Sequence, residues 1–468
     1  MNPKNSTHHI VIIGGGPGGY EAALTGRQLG AQVTLVERQG VGGAAVLTDV
    51  VPSKTLIATA TAAEEVRTAL SLGIHVGGQS ADVSVDLASV NSRLLELAKS
   101  QSNEMLETLS KAGVRVINGT GKLDGNHAVL VETEGAKSER LEAKTIVLAV
   151  GARPRTLPTA QPDGERILTW TQLYNLKTLP EHMVVVGSGV TGAEFASAYL
   201  SLGCKVTLVS SRDYVLPGED LDAAVLIEDV FRRRGMKILK QSRADKVEAT
   251  ASGVKVYLQD GTVVEGSHCL MAVGSIPNTE SLGLEEAGVL VAPSGHIIAN
   301  RVARTSRANV YAVGDCTDFY PLASVASMQG RTAVFHTMGD VAVPTQKRNI
   351  ASNVFTSPEI ASVGWSEIEI QEGLVKGEIQ KILLTTNPRA KMQGIKDGFI
   401  KLFASTGSRT VIGGVVVGPG ASELIYPIAM AVENRLTVDE LAATYTVYPS
   451  LTGTIAEAAR ALHDPNLD

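Results

Sequence analysis

Cysteine is nearly missing from this chain: only Cys204, Cys269 and Cys316 occur in 468 residues, far apart in sequence. They form no C-x-x-C pair and no zinc-finger spacing. Reduced, structural thiols in a cytoplasmic protein are therefore expected. Aromatic residues make up only 4% of the chain, and acids outnumber bases 48 to 42, for a net charge of −6. Such a chain has little to stack on bases and no basic field to attract phosphate backbones, so nucleic acid is not an expected partner. No run of 18 apolar residues occurs, and no transmembrane segment is expected. The start, Met1–Thr7, is polar, and the apolar run from His9 to Ile13 is too short for a signal sequence. The histidines are scattered without H-x-x-x-H spacing, so no metal site is expected. A Gly-x-Ser-x-Gly elbow is also missing, which argues against a hydrolase.

Glycine is what the chain has in excess: 47 residues, about 10% against an average near 7%. The length suffices for roughly two to four domains. Residues 10–13 read as a buried parallel strand running into Gly14-Gly15-Gly16-Pro17-Gly18-Gly19, then a helix over 18–29 and a strand over 32–36 that ends at Glu37. A helix is expected after Pro52, with Lys54 near its start; residues 61–110 look helical, short strands follow at 114–118 and 127–132, and a buried strand at 145–150 closes at Gly151. A second unit of the same kind begins at 183–186. It runs into Gly187-Ser188-Gly189-Val190-Thr191-Gly192, a helix and the strand 205–209. The two glycine turns lie 173 residues apart, a spacing that reads as duplication of a whole nucleotide-binding fold. A later strand, 310–315, ends in Gly314-Asp315, and from about 346 onward strands at 398–403 and 413–417 precede helices at 421–434 and 438–444. These features predict domains over 1–150, 151–274, 275–345 and 346–468, the last a separate α+β unit.

Each glycine in such a turn has a task. The first makes the bend, the second lets the backbone approach a pyrophosphate, and the third allows close helix–strand packing. The helix N-terminus then offers N–H donors and a positive dipole end. Glu37, 23 residues after Gly14, is an acid placed to bind ribose hydroxyls. The same offset from Gly187 lands on Ser210, with Arg212 close by, so no acid repels a 2′-phosphate and NADPH is expected, with NADH possible.

The stretch Gly42–Lys54 resembles the redox helix of the pyridine nucleotide-disulfide oxidoreductases, the lipoamide dehydrogenase and glutathione reductase family, where the pattern is G-G-x-C-x-x-x-x-C-x-P-S-K. Gly42, Gly43, Pro52, Ser53 and Lys54 match it, but Ala45 and Val50 stand where the two cysteines belong. The resemblance covers nearly the whole chain. It implies an α/β, glutathione reductase-like flavoprotein with two dinucleotide-binding domains and a C-terminal α+β dimerisation domain, working as a homodimer. It implies FAD contacts at Gly14, Gly16, Gly19, Glu37, Gly43, Lys54, Gly151, Gly314 and Asp315, and NADPH or NADH contacts at Gly187, Gly189, Gly192, Ser210 and Arg212. It also implies that Lys54 stabilises charge on the reduced flavin and that Glu194 positions Lys54. A second departure lies in the His-Pro-Thr-x-x-Glu type motif, which here reads Tyr448-Pro449-Ser450-Leu451-Thr452-Gly453. Thiols and proton carrier are thus lost together. The segments Gly42–Lys54 and Tyr445–Arg460 resemble actinobacterial lipoamide dehydrogenase-like proteins that lack the disulfide and reduce quinones. A quinone is therefore the expected acceptor, in an apolar pocket near Ala45, Val50 and Tyr448. A nicotinamide transhydrogenase and a low-turnover flavoprotein with a sensing or partner-binding role are the alternatives. True lipoamide dehydrogenase activity is all but excluded.

Overall fold

A computed structural model of the chain describes residues 8–75, 83–135 and 137–463. The polar start and part of the stretch 61–110 expected to be helical lie outside them. The chain divides into two compact units. The first comprises 1–55, 89–155 and 275–346, and the second 56–88, 156–274 and 347–468.

The first unit is built on a five-stranded parallel sheet in the order Val310–Ala312, Thr145–Leu148, His9–Ile13, Gln32–Glu37, Arg115–Asn118. Its strands are apolar on both faces, as a covered parallel sheet requires. Val11, Ile13, Ile146 and Leu148 feed one core, and Ile10, Ile12, Leu35 and Val147 the other. The helices Pro17–Gln28 and Ala323–Met338 pack together on this sheet. Glycine permits their approach: a Cβ on Gly330 would lie 2.2 Å from the Gly18 carbonyl oxygen. The strands Thr120–Leu123, Ala128–Glu132 and Glu139–Glu142 form a three-stranded antiparallel sheet.

The second unit repeats this plan. Its parallel sheet runs Ile167–Leu168, His268–Met271, His182–Val186, Lys205–Val209, Lys237–Leu239, again with a three-stranded antiparallel sheet inserted before the return strand. The stretch after 346 adds a five-stranded antiparallel sheet, ordered Ser352–Val354, Glu359–Gly364, Val411–Gly418, Phe399–Ser405, Gly377–Leu383. Residues of this sheet share a core with the helices Tyr426–Asn434, Val438–Ala443 and Gly453–Ala461.

Three boundaries differ from the sequence reading. The helix expected over 421–434 is two helices, Ala421–Leu424 and Tyr426–Asn434. Pro427 stands in the first turn of the second, where its ring and missing N–H are tolerated. The helix carrying Lys54 begins at Val50 rather than after Pro52, which still leaves the proline in the first turn. The strand expected over 310–315 stops at Ala312, and Gly314, at φ +73°, opens a 3₁₀ turn over Gly314–Cys316. Among the described residues no helix is long and apolar enough to cross a membrane.

Candidate functional site

The first glycine turn is shaped by contacts that exclude side chains. Gly14 has φ +102°, and a Cβ there would lie 2.3 Å from the Ala149 carbonyl oxygen. A Cβ on Gly19 would lie 1.9 Å from the Gly14 oxygen, and one on Gly43 (φ +56°) 2.9 Å from the Gly16 Cα. Nothing stands within 4 Å of a Cβ at Gly16, which N-caps Pro17–Gln28 without any side-chain cap. Open space beside uncapped N–H groups suits the pyrophosphate of a dinucleotide. Glu37 ends the neighbouring strand, where Oε2 accepts the Gly15 N–H at 2.6 Å and Oε1 the Gln39 N–H at 2.7 Å. Those bonds orient the carboxylate and leave lone pairs for ribose hydroxyls. Gly151 (φ +64°) accepts the Asn278 N–H, and the Gly314 N–H donates to Gln329 Oε1 at 2.8 Å. Asp315 follows, and burial pushes its carboxyl above the usual carboxylate range. The residues of this unit therefore fit an FAD.

The second turn repeats the first. Gly187 has φ +112°, and its Cβ would lie 2.1 Å from the Ala272 oxygen. A Cβ on Gly192 would lie 1.9 Å from the Gly187 oxygen, and Gly189 is open and N-caps Val190–Leu202 with no side-chain cap. Ser210 is fully buried, with Oγ 2.7 Å from Ser188 Oγ, and it accepts the Arg212 N–H at 3.1 Å. The Arg212 side chain is exposed. These features fit a pyridine nucleotide.

The remaining candidates fall on both units. Lys54 is half-buried in the first turn of Val50–Thr68, in the first unit. Ala45 is half-buried in the short helix Gly43–Leu47, and Val50 is exposed. In the second unit Glu194 is only 4% exposed, and its Oε1 accepts the Phe355 N–H at 2.8 Å. Tyr448 precedes a cis bond to Pro449 and is 81% exposed, in a run with Tyr445 and Val447. The three cysteines are free and buried. Burial pushes the Cys316 thiol up to about 12, and its Sγ donates to the Val313 carbonyl. Burial likewise raises Cys204 to about 12 and Cys269 further.

Two features went unread in the sequence. Ser188 stands in register with Gly15, a correspondence visible once the two turns are aligned. Lys401, buried in the strand Phe399–Ser405, meets both Asp220 oxygens and Asp222 at 2.9 Å and also bonds Glu367. Those three carboxylates form the one group among the described residues with metal-ligand spacing, and the ammonium serves them as cation.

Residues 8–330 match the family described as pyridine nucleotide-disulphide oxidoreductase, and residues 350–459 match its dimerisation domain. A protein of Mycobacterium tuberculosis named NAD(P)H dehydrogenase (quinone) is 49% identical over 466 residues, covering 97% of this chain and 94% of that one. Dihydrolipoyl dehydrogenase 2 of Haloarcula marismortui is 34% identical over 459 residues, covering 97% and 96%. The crystal structure of LpdA from M. tuberculosis aligns with a TM-score of 0.94 at 48% identity, over 98% of this chain and all of the other. The flavoprotein disulfide reductase RclA from Escherichia coli, 24% identical, shares the fold with a TM-score of 0.85, over 97% and 99%.

Proposed function

The chain belongs to the pyridine nucleotide-disulphide oxidoreductase family, and we propose that it is an FAD-dependent NAD(P)H:quinone oxidoreductase working without a redox disulfide. One observation carries this reading. The two dithiol positions hold Ala45 and Val50, while the only thiols are buried and free elsewhere. Neither side chain can store electrons or form a mixed disulfide. The name of the 49% identical relative supports a quinone as acceptor.

The net reaction takes a hydride from NAD(P)H and a proton from solvent and converts the quinone to a hydroquinone. FAD, when bound, supplies the ring that receives the hydride and returns the electrons. The uncapped helix start at Gly16 binds its pyrophosphate, Glu37 holds ribose hydroxyls and Asp315 the ribityl chain. The open turn at Gly189 takes the nicotinamide dinucleotide, and the absence of an acid at Ser210 supports NADPH. Lys54 and Glu194 keep the roles the family resemblance gives them, charge stabilisation and its positioning. The Tyr448 O–H donates a hydrogen bond to a quinone oxygen as charge develops there, and its ring offers a flat apolar surface. Its exposure on a single chain supports a role across the interface of a homodimer.

Steady-state assays with benzoquinones, naphthoquinones, lipoamide and an NAD analogue, using both NADPH and NADH, test this. Fast quinone turnover with none on lipoamide is expected. Transhydrogenation exceeding quinone reduction, or slow turnover with every acceptor, would replace the reading with one of its alternatives.

A further inference from the structure

The segment 211–219 joins the strand Lys205–Val209 to the helix Leu221–Arg233 and contains no helix or strand. Ile13 pairs with Val36 in the first sheet and Val186 with Val209 in the second, so the segment leaves its strand at the counterpart of Glu37. It therefore borders the adenosine ribose of a dinucleotide held at the second turn. Its middle rests on that turn: the Leu216 N–H donates to the Ser188 carbonyl at 2.8 Å. Arg212, Asp213 and Tyr214 are exposed, whereas Val215 and Leu216 form a buried root. The root is strained. Leu216 has φ +56°, a conformation that a leucine Cβ disfavours and that persists only where surrounding contacts over-determine it. Those contacts come from two carboxylates. Glu228, buried in the helix, accepts the Val215 N–H at 2.8 Å and is itself held by Arg232 and Lys240. Asp220 closes the segment: its Oδ1 accepts the Asp222 and Ala223 N–H groups and caps the helix. Both Asp220 oxygens also accept from Lys401 at 2.9 Å. Lys401 lies in the strand Phe399–Ser405, and the two side chains are 2% and 5% exposed. A pair so deeply buried has no water to exchange for its partner, so Asp220 stands where Lys401 holds it.

We infer that Lys401 is a positioning residue for the pyridine nucleotide, fixing the segment 211–219 against the second glycine turn through Asp220. Without the ammonium Asp220 gives way, the strain at Leu216 relaxes and the segment leaves the Ser188 carbonyl. The adenosine half of the nucleotide then loses a preformed wall, and binding has to order the segment anew. The Lys401 ammonium is taken up by Asp220, Asp222 and Glu367, so its effect falls on nucleotide affinity and not on hydride transfer. The inference rests on reading the second turn as the pyridine-nucleotide site.

The test is calorimetric titration of FAD-loaded parent, K401M, D220N and I428A with NADP⁺ and NAD⁺, beside steady-state kinetics with a benzoquinone. K401M is expected to bind the parent's preferred nucleotide about tenfold or more weakly. The KM for the reduced nucleotide should rise by the same factor, with kcat, quinone KM and FAD content near the parent's. D220N should move in the same direction, because an asparagine keeps the helix cap and loses the charge that Lys401 holds. I428A opens a cavity in the same C-terminal core and should leave nucleotide affinity at the parent level, which separates lost positioning from lost stability. Where K401M does not fold, D220N measured against I428A decides. Nucleotide affinity unmoved in D220N or in folded K401M, or lowered as much in I428A, overturns the positioning role. Parent protein that binds neither nucleotide overturns the assignment of the site, and the inference with it.

Discussion

Glu194 accepts a 2.8 Å hydrogen bond from the Phe355 backbone N–H across 161 residues of chain. The carboxylate is buried on the helix that leaves the second glycine turn, so it ties that helix to the start of the C-terminal sheet. Glu194→Ala removes the charged acceptor of that part-buried bond, at a cost of about 1–3 kcal/mol. Glu194→Gln keeps an acceptor and should lose less. Urea unfolding of both variants checks this, and an unchanged midpoint in Glu194→Ala would contradict it. Stopped-flow kinetics should also show Lys54→Ala slowing flavin reduction by NAD(P)H.

Lys401 is the hub of a second tie. Burial alone would lower its pKa, but hydrogen bonds to Glu367, Asp222 and Asp220 outweigh this and raise it. Its stabilising effect is thus complete below the ordinary lysine pKa and fades only as pH rises through the elevated one. Lys401→Met leaves three carboxylates crowded together and should cost about 3–5 kcal/mol at neutral pH. The deficit should shrink as pH falls and the carboxylates protonate. A pH-independent deficit in denaturant titrations would show that packing alone is at stake.

Glu369 carries an acid-sensitive contribution. The Arg348 hydrogen bond, helped by Ser366 and opposed by burial, holds its carboxyl down at about 2. Arg348 is itself stacked 3.5 Å above the Trp365 ring. A depressed carboxylate stabilises the fold above its ordinary pKa, and this contribution is lost as pH falls from about 4.5 through about 2. Because the pair is partly solvated, about 1 kcal/mol is expected. Glu369→Gln should flatten the acid limb of the stability profile by that amount.

The buried thiols should be silent. Native protein is expected to react slowly with a thiol reagent and to expose all three cysteines only on unfolding. Reduction by NADPH should give no long-wavelength thiolate–flavin absorbance. Such a band, lost in Cys316→Ser, would place a thiolate against the ring and contradict the structure at that residue.

Tyr448→Phe should raise the quinone KM or slow flavin reoxidation, leaving flavin reduction by NADPH near the parent rate. Unchanged quinone kinetics in both Tyr448→Phe and Tyr448→Ala would reduce the residue to filling the place of a histidine.

Legibility in the sequence followed how local the physical demand was. The turns at Gly14 and Gly187 were readable because backbone oxygens of Ala149 and Ala272 leave no space for a Cβ, and only glycine answers that. Glu37 and Ser210 were readable by counting from those glycines. The break at Pro427 was missed because the apolar pattern continues through it. The Lys401 cluster joins residues 181 apart, and a lysine in a strand pattern gives no sign of three distant acids.

The first sheet also dictates a timetable. Its edge strand, Val310–Ala312, and the helix Ala323–Met338 are encoded after the entire second parallel sheet. On a ribosome adding roughly 5–20 residues per second, the nascent first glycine turn has its glycines early but waits for its last wall. The later fold is complete in its parallel sheet before the earlier one can close. On the proposed assignment of FAD to this unit, flavin loading is deferred to the final third of synthesis, and a chain truncated before residue 310 should emerge colourless however much FAD surrounds it.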